Sequence, residues 1–245
     1  MTTKKLSSLL FSLIFMSSIL LGCSTDKSEL VIVKGTDLTY SEYFKTYDGL
    51  DERKNVTYYK PFLINEAESS LPDQVKNTMN KVDPDRLPFK VDEEKAYLVT
   101  SKDKDGKVKN QVQLSYLSKD EYEQTDDFFI ISVTEADKSP LELYDLKVEV
   151  DSVGNKFKKE QLTENLPIYQ QVLTTDSALL YRYYDENEKG IATVATAANE
   201  FYTYFDEHIY HIGYLIDNEK NDEEVQQKML QLVREYIIAS EFPNQ

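Results

Sequence analysis

The sequence predicts an α+β fold in which a curved, antiparallel β-sheet has one helix before it and a C-terminal amphipathic helix after it. Three observations support this prediction. Segments between residues 95 and 216 alternate apolar and polar side chains with period two, as half-buried strands do. Turn-forming pairs such as Asp105-Gly106 separate several of these segments, which favours hairpins. Apolar side chains recur at helical spacing in residues 71–82 and 225–237.

The strands are predicted from short runs rich in Tyr, Phe, Val and Ile, which pack well on a pleated face. The continuous apolar run in residues 128–133 indicates a strand that is buried on both faces. The predicted strands are 30–33, 95–100, 108–117, 128–133, 146–150, 177–184, 191–196, 200–205 and 208–216. A turn is also predicted at 153–155.

Two helices are predicted from their caps and apolar faces. The first covers 71–82, with Ser70 as its N-cap. The second opens at Asn221, and Glu224 lies three residues on, as a capping box requires. Their apolar faces would be Leu71, Val75, Met79 and Val82 in the first helix and Val225, Met229, Leu232, Tyr236 and Ile237 in the second.

The N-terminal segment has the layout of a secretory signal peptide. Lys4 and Lys5 precede an apolar run that ends in Leu20-Leu21-Gly22-Cys23, and Cys23 is the only cysteine. This segment resembles the lipobox of bacterial lipoproteins. The resemblance implies cleavage between Gly22 and Cys23, a diacylglyceryl group on the Cys23 thiol and a fatty acid such as palmitate on the new amino group.

The lipoprotein interpretation divides the chain into three parts. Residues 1–22 would be the signal peptide, 23–35 a lipidated tether and 36–245 an extracytoplasmic α+β domain. The similar motifs Leu87-Pro88-Phe89 and Leu166-Pro167-Ile168 suggest an internal duplication with a boundary near residue 150. Two other interpretations of the N-terminus are a signal peptide with a chance cysteine and a transmembrane helix. The 16 residues 6–21 are shorter than the roughly 20 apolar residues that a span needs.

Composition narrows the function classes. Removing residues 1–22 leaves 26 basic and 44 acidic residues, a net charge of −18. Nucleic-acid binding is disfavoured because it depends on Lys and Arg that neutralise phosphates. Once Cys23 is acylated, the domain has no disulfide, thiolate metal ligand or cysteine nucleophile. No cofactor is expected.

From Leu71 onward, three short sequence motifs and a final hairpin form the basis of a second resemblance. The motifs are Leu87-Pro88-Phe89-Lys90-Val91, Val112-Gln113-Leu114-Ser115-Tyr116 and Phe129-Ile130-Ile131-Ser132-Val133-Thr134-Glu135. The final hairpin contains Tyr210 and leads into the helix capped at Asn221. This layout resembles a domain of unknown function in surface lipoproteins and sensor proteins of Gram-positive bacteria. The resemblance implies a fold like that of curved-sheet lipid or lipoprotein carriers, and it supplies no catalytic residues.

Motifs for metal or catalytic chemistry are weak. His208 and His211 are the only histidines, and three residues apart on a strand they would point to opposite faces. A calcium loop around Asp103–Gly106 would need an acid where Val112 stands, so a hairpin turn is expected there. Four tyrosines could line an aromatic groove for sugar or acyl chains, or form cross-strand core pairs: Tyr181, Tyr183, Tyr202 and Tyr204.

The leading hypothesis is a membrane-anchored surface lipoprotein that is not an enzyme and acts as a binding or accessory module in the cell envelope. It would sit on the extracytoplasmic face of the cell membrane, in a Gram-positive envelope, with an envelope protein or ligand as its partner. The alternative is a lipid or lipoprotein carrier with an apolar cavity, and a third hypothesis is a carboxylate-based cell-wall hydrolase. A filled core would favour the first, a deep apolar cavity the second and two converging acids in a cleft the third.

Overall fold

The computed structural model describes residues 30–36, 54–71, 73–76, 79–102, 105–139, 156–173, 181–217 and 221–239. These residues form the strands β1 (Ile32–Val33), β2 (Lys54–Tyr59), β3 (Glu93–Lys102), β4 (Val108–Lys119), β5 (Thr125–Glu135), β6 (Lys156–Thr163), β7 (Leu166–Val172), β8 (Tyr181–Asn187), β9 (Gly190–Thr196), β10 (Asn199–Phe205) and β11 (His208–Leu215). The α-helices are α1 (Ala67–Ser70), α2 (Asp73–Lys76) and α3 (Glu223–Ala239). Single 3-10 turns occur at Ile64–Glu66 and Pro84–Arg86.

Nine of these strands form one antiparallel sheet, in the order β1-β2-β3-β4-β5-β11-β10-β7-β6. The strands β1 to β5 follow one another across one half of the sheet. The chain then starts again at the opposite edge with β6 and β7, and β10 and β11 complete the middle. The remaining strands, β8 and β9, pair with each other as a hairpin, and Ile191 of β9 also forms an isolated bridge with Gly35. The predicted antiparallel sheet with a C-terminal helix is confirmed.

Helix α3 covers one face of the sheet and forms the main core with it. The buried side chains of this helix are Met229, Leu230, Leu232, Val233, Tyr236 and Ile237. They share one cluster with Tyr116, Phe129 and Ile212 of the three central strands. The helix cap is Asp222 and not the predicted Asn221, because Asp222 Oδ1 accepts a hydrogen bond from the Val225 N–H at 2.9 Å.

The predicted helix over 71–82 is not formed, so this part of the fold prediction is wrong. Leu71 has extended backbone angles (φ −78°, ψ 149°), and the helical residues described in this range are the four of α2. Leu71, Val75 and Val82 are nevertheless all buried. The Val82 N–H donates to the Tyr116 hydroxyl at 3.0 Å, so a tertiary contact satisfies a backbone group that a helix would have satisfied internally.

The sheet is also less curved than predicted. It is an open sheet with β1 and β6 at its edges, and it is not strongly curled. Both of its faces are covered, one by α3 and the other by the β8–β9 hairpin. The apolar side chains are therefore buried without the sheet wrapping around an interior of its own.

Residues 31–34 belong to the folded sheet. The Lys60 N–H donates to the Val31 carbonyl at 2.7 Å, and β1 pairs with β2. Directly after β1, the Lys34 carbonyl accepts from the Ile191 N–H at 2.9 Å, which joins these residues to the β8–β9 hairpin. The sheet thus begins inside the range 23–35 that was assigned to the tether.

Several sequence predictions fall outside the described residues: the signal peptide with Gly22 and Cys23, the strand at 146–150, the turn at 153–155 and the boundary near 150. The two Leu-Pro motifs occupy different positions relative to the strands, because Leu87 precedes β3 whereas Leu166 begins β7. Within the described ranges, the model contains no helix with the length and apolar character of a membrane span.

Candidate functional site

Three chain segments meet at the end of the sheet where β3 ends and β4 begins, called here the far end. The β3–β4 connection contains Gly106, whose φ of 83° is left-handed and suits glycine. The β10–β11 connection is the pair Asp206 and Glu207, with φ values of 48° and 59° that fit a two-residue hairpin turn. Because β5 lies between β4 and β11, its last residues lie between these two turns.

An open groove of about 470 Å³ lies among these segments, and we call it the far groove. Its polar and charged lining includes Lys107, Lys109, Asn110, Glu135, Asp137 and His208. The backbone of Ala136 joins the end of β5 to the β10–β11 turn, since its N–H donates to the Glu207 carbonyl at 2.9 Å. The Ala136 carbonyl in turn accepts from the Tyr204 hydroxyl at 3.1 Å. The two turns and the end of β5 are therefore held in one arrangement.

Asp137 holds two lysines of the far groove. Its carboxylate accepts from Lys107 Nζ at 2.6 Å and from Lys109 Nζ at 2.7 Å. Hydrogen bonds from the Lys107 and Lys109 ammonium groups lower the pKa of Asp137 to about 2, and the same contact raises the pKa of Lys107. The Lys109 side chain is only 8% exposed, whereas that of Asp137 is 54% exposed. Asp137 thus compensates the positive charge of a mostly buried ammonium group.

Glu135 holds Asn110, another residue that lines the far groove. Its Oε2 accepts from the Asn110 backbone N–H at 3.1 Å, and its Oε1 accepts from Asn110 Nδ2 at 2.8 Å. Both carboxylate oxygens are therefore engaged by one residue of β4. The far groove combines ordered cationic, anionic and amide groups in a partly enclosed space, so it can offer both donors and acceptors to a polar ligand.

The opposite sheet face is closed by the β8–β9 hairpin. Gln113 of β4 exchanges two hydrogen bonds with the backbone of Tyr184: its Nε2 donates to the Tyr184 carbonyl and its Oε1 accepts from the Tyr184 N–H, both at 2.7 Å. The Tyr184 hydroxyl donates to Gln111 Oε1 at 2.6 Å. All three side chains are buried. Polar side chains of the sheet thus replace the strand partners that the hairpin lacks.

His211 lies at the border of this hairpin and contacts three side chains. Its Nε2 is 2.5 Å from Oε2 of Glu200, a carboxylate that is 7% exposed. The rings of Tyr181 and Tyr202 meet the imidazole edge-on, with centroids 5.1 Å and 5.5 Å away. His208 lies elsewhere, at the far groove, where its Nδ1 contacts the Asp206 carbonyl. The two histidines therefore contribute to different parts of the molecule.

Of the four tyrosines considered for an aromatic groove or for core pairs, three are buried. Tyr181 stacks on Phe128 with ring centroids 6.0 Å apart, and the Tyr183 ring is tilted against Phe128 at 5.8 Å. Tyr202 is fully buried, and Tyr204 is partly buried and bonds to Ala136. Burial raises the pKa of Tyr183 to about 12. Tyr181 and Tyr183 pack between the hairpin and the sheet with Phe128 and Ile130. Tyr202 and Tyr204 belong to a separate cluster with Tyr169 and Ile209.

The sequence did not single out the far groove. The pairing of β4 with β5 brings Lys107 and Lys109 to Asp137, but nothing in the sequence says that β11 also pairs with β5. That pairing brings Glu207 beside Ala136. The two tight turns were the available indication, since each predicted where neighbouring strands end.

Comparisons with known proteins give no guide to the site. Neither the protein-family models, nor the curated proteins, nor the solved structures contain a match to this chain. Among the residues that the model describes, no three His, Cys, Asp or Glu side chains are grouped as metal ligands would be.

Proposed function

We propose that this protein is a lipoprotein, anchored through Cys23 to the extracytoplasmic face of a Gram-positive cell membrane, that presents the far groove to a polar partner in the envelope. It acts as a binding or accessory module, not as an enzyme. The sequence Leu20-Leu21-Gly22-Cys23 supports the anchor. The far groove lies at the end of the sheet opposite to the end where the chain enters, and this position supports its presentation to a partner.

The chain enters the sheet from the end opposite the far groove. Strand β1 runs in the same direction as β3, because both are antiparallel to β2. Phe62 bridges to Ala96, which pairs with Leu114, and Val108 of the far groove lies six residues back along β4. Six strand residues span about 20 Å. An anchor preceding β1 therefore leaves the far groove on the side of the domain away from the bilayer.

The filled interior supports a binding module over a lipid carrier. The space between the sheet and α3 is occupied by large side chains with no measurable exposure, including Phe129, Ile212 and Ile237. The space under the hairpin is occupied by Tyr181 and Tyr184 in the same way. A carrier would need that space for its ligand.

The state of the carboxylates argues against a hydrolase at the far groove. A general acid needs a carboxyl group that is protonated near neutral pH, which requires a raised pKa. Asp137 has its pKa lowered to about 2, and both oxygens of Glu135 are used by Asn110. Asp137 is therefore a poor proton donor, and Glu135 serves to position Asn110.

Site-specific photo-crosslinking in intact cells tests the proposal. A photoreactive residue replaces Val108, which is 49% exposed at the far groove, and a matched one replaces Tyr122, which is 73% exposed in the β4–β5 turn. We expect a discrete crosslinked partner from position 108, none from position 122, and loss of the crosslink when Asp137→Ala is added. Equal crosslinking from both positions, or none from position 108, would rule out the far groove as the binding surface.

A further inference from the structure

A second groove lies where the chain enters the sheet, and we call it the entry groove. It has a volume of about 540 Å³ and is lined by Leu30, Val31, Phe62, Leu63 and Lys60, among others. Val31 is 57% exposed and Leu63 is 52% exposed, and the adjoining Ile32 is 67% exposed. Two of the five large apolar side chains identified as exposed in the described residues therefore line this groove, and a third, Ile32, follows Val31 in the chain. Such clustering marks a contact surface.

The charge around the entry groove differs from that of the whole chain. Lys60 is exposed there, opposed by the exposed Glu66. Lys95 is balanced by Glu93 at 3.2 Å and Glu186 at 3.5 Å. The charged residues that line the groove itself are Lys60, Lys95 and Glu66, so the lining has no excess of negative charge, whereas the mature chain carries a net charge of −18. It can approach an anionic surface that repels the rest of the domain.

The length of the tether keeps this groove near the lipid anchor. Six residues separate Cys23 from Leu30. Even fully extended, this stretch spans at most about 25 Å. A globular domain of this size is about 40 Å across. The tether is shorter than the domain, so a chain anchored at Cys23 cannot turn the entry groove to the side away from the bilayer.

We propose that the entry groove rests on the phospholipid surface itself, with Val31, Ile32 and Leu63 among the headgroups and Lys60 beside lipid phosphates. This inference depends on the lipid anchor of the proposed function. The contact supplements the acyl chains and fixes the orientation of the domain, because a surface that lies in the interface at one end holds the far groove at the other end in the medium.

The absence of tryptophan from the sequence makes a sensitive test available. Leu63→Trp places a single fluorophore at the entry groove, and Val108→Trp places a matched one at the far groove. Val31→Trp is a second entry-groove probe in case the first variant is poorly folded. Each full-length protein is purified from membranes and reconstituted into vesicles of equal parts phosphatidylcholine and phosphatidylglycerol. The acyl chains are either plain or brominated, since bromine quenches nearby tryptophan, and mass spectrometry of the same samples reports acylation of Cys23.

We expect the emission at positions 63 and 31 to shift to shorter wavelength on reconstitution and to be quenched by brominated lipid, while emission at position 108 changes in neither way. An acylated protein whose position-63 and position-31 probes are not quenched would overturn the membrane contact and leave the anchor intact. A blue shift that depends on protein concentration without vesicles would assign the groove to a second copy of the chain. A chain without acyl groups at Cys23 would overturn both proposals.

Discussion

Gln113 and Tyr184 are 71 residues apart in sequence and form a closed pair of hydrogen bonds across two layers of the fold. The amide side chain matches the donor and acceptor of one peptide unit, so a sheet side chain acts as a strand partner for the hairpin. Gln113 Nε2 also lies 2.8 Å from the Ser115 hydroxyl, within the same buried region. This pair makes the attachment of β8 and β9 specific in register and not merely apolar.

Replacing Gln113 should destabilise the protein strongly. Gln113→Leu keeps the volume but leaves the Tyr184 N–H and carbonyl buried without these partners, at an expected cost of about 2–4 kcal/mol. The free energy of unfolding in urea measures the effect. Gln124→Leu, on the exposed β4–β5 turn, is the matched control and should change it little. Equal losses in the two variants would contradict the role given to the pair.

Gly213 should be intolerant of a methyl group. A Cβ at this position would lie 2.5 Å from Cζ of Tyr181, whose ring is fully buried and stacked on Phe128 and so cannot move away cheaply. Gly213→Ala should cost about 1–3 kcal/mol through overpacking. The same substitution in a Tyr181→Leu background should cost clearly less. If chemical denaturation gave one value in both backgrounds, the contact between Gly213 and Tyr181 would not be the cause.

The position of the α3 cap distinguishes the structure from the sequence prediction. Asp222→Ala removes the acceptor of the Val225 N–H and should cost about 1 kcal/mol. Asn221→Ala, at the residue that the sequence favoured as the cap, should cost less, because its side chain does not bond to the first turn. Thermal unfolding of the two variants under the same conditions tests this, and the reverse ranking would restore Asn221 as the cap.

The free energy of unfolding should fall at acidic pH because of Asp137. Its pKa is lowered from the ordinary value of 3.8 to about 2 in the folded state. The stabilisation by Lys107 and Lys109 is therefore fully present above about pH 4 and is lost as the pH falls towards 2. Asp137→Asn should flatten the pH dependence of unfolding in that window, and Asp126→Asn should not. Because Asp137 is half-exposed, high salt should reduce the effect.

Local patterns identified most of the strands, but not the way in which they assemble. The alternation in residues 95–117 and the pair Asp105-Gly106 define the β3–β4 hairpin, because the flanking strands are adjacent in sequence. Strand β6 was missed, since the exposed Lys158 and Lys159 give it a polar character typical of a sheet edge. The polar composition of β6 reflects its position at the edge of the sheet, and the sequence alone does not show which strand lies at an edge.

The segment from 71 to 82 shows why periodicity can predict burial without predicting conformation. Leu71, Val75 and Val82 face the core as the spacing indicated, yet the backbone at Leu71 is extended. The Val82 N–H bonds to the Tyr116 hydroxyl instead of to a helical carbonyl, and Asn80 Nδ2 donates to the Tyr236 carbonyl of α3 at 2.9 Å, which ties the segment to that helix. Tertiary packing thus overrides local propensity there.

The far groove depends on one strand pairing that is remote in sequence and on one between consecutive strands. Glu207 meets Ala136 because β11 returns to lie beside β5 after more than 70 residues. Lys107 and Lys109 meet Asp137 because β4 lies on the other side of β5. No motif spans these positions, so charge and turn patterns alone do not indicate the site.

The orientation proposed for both grooves depends on the lipid at Cys23. Mass spectrometry of the N-terminal peptide from protein extracted from native membranes tests it most directly. We expect a mature chain that begins at Cys23 and carries a diacylglyceryl group on its sulfur. A native chain that begins at any other residue, or a Cys23 without added lipid, would contradict it.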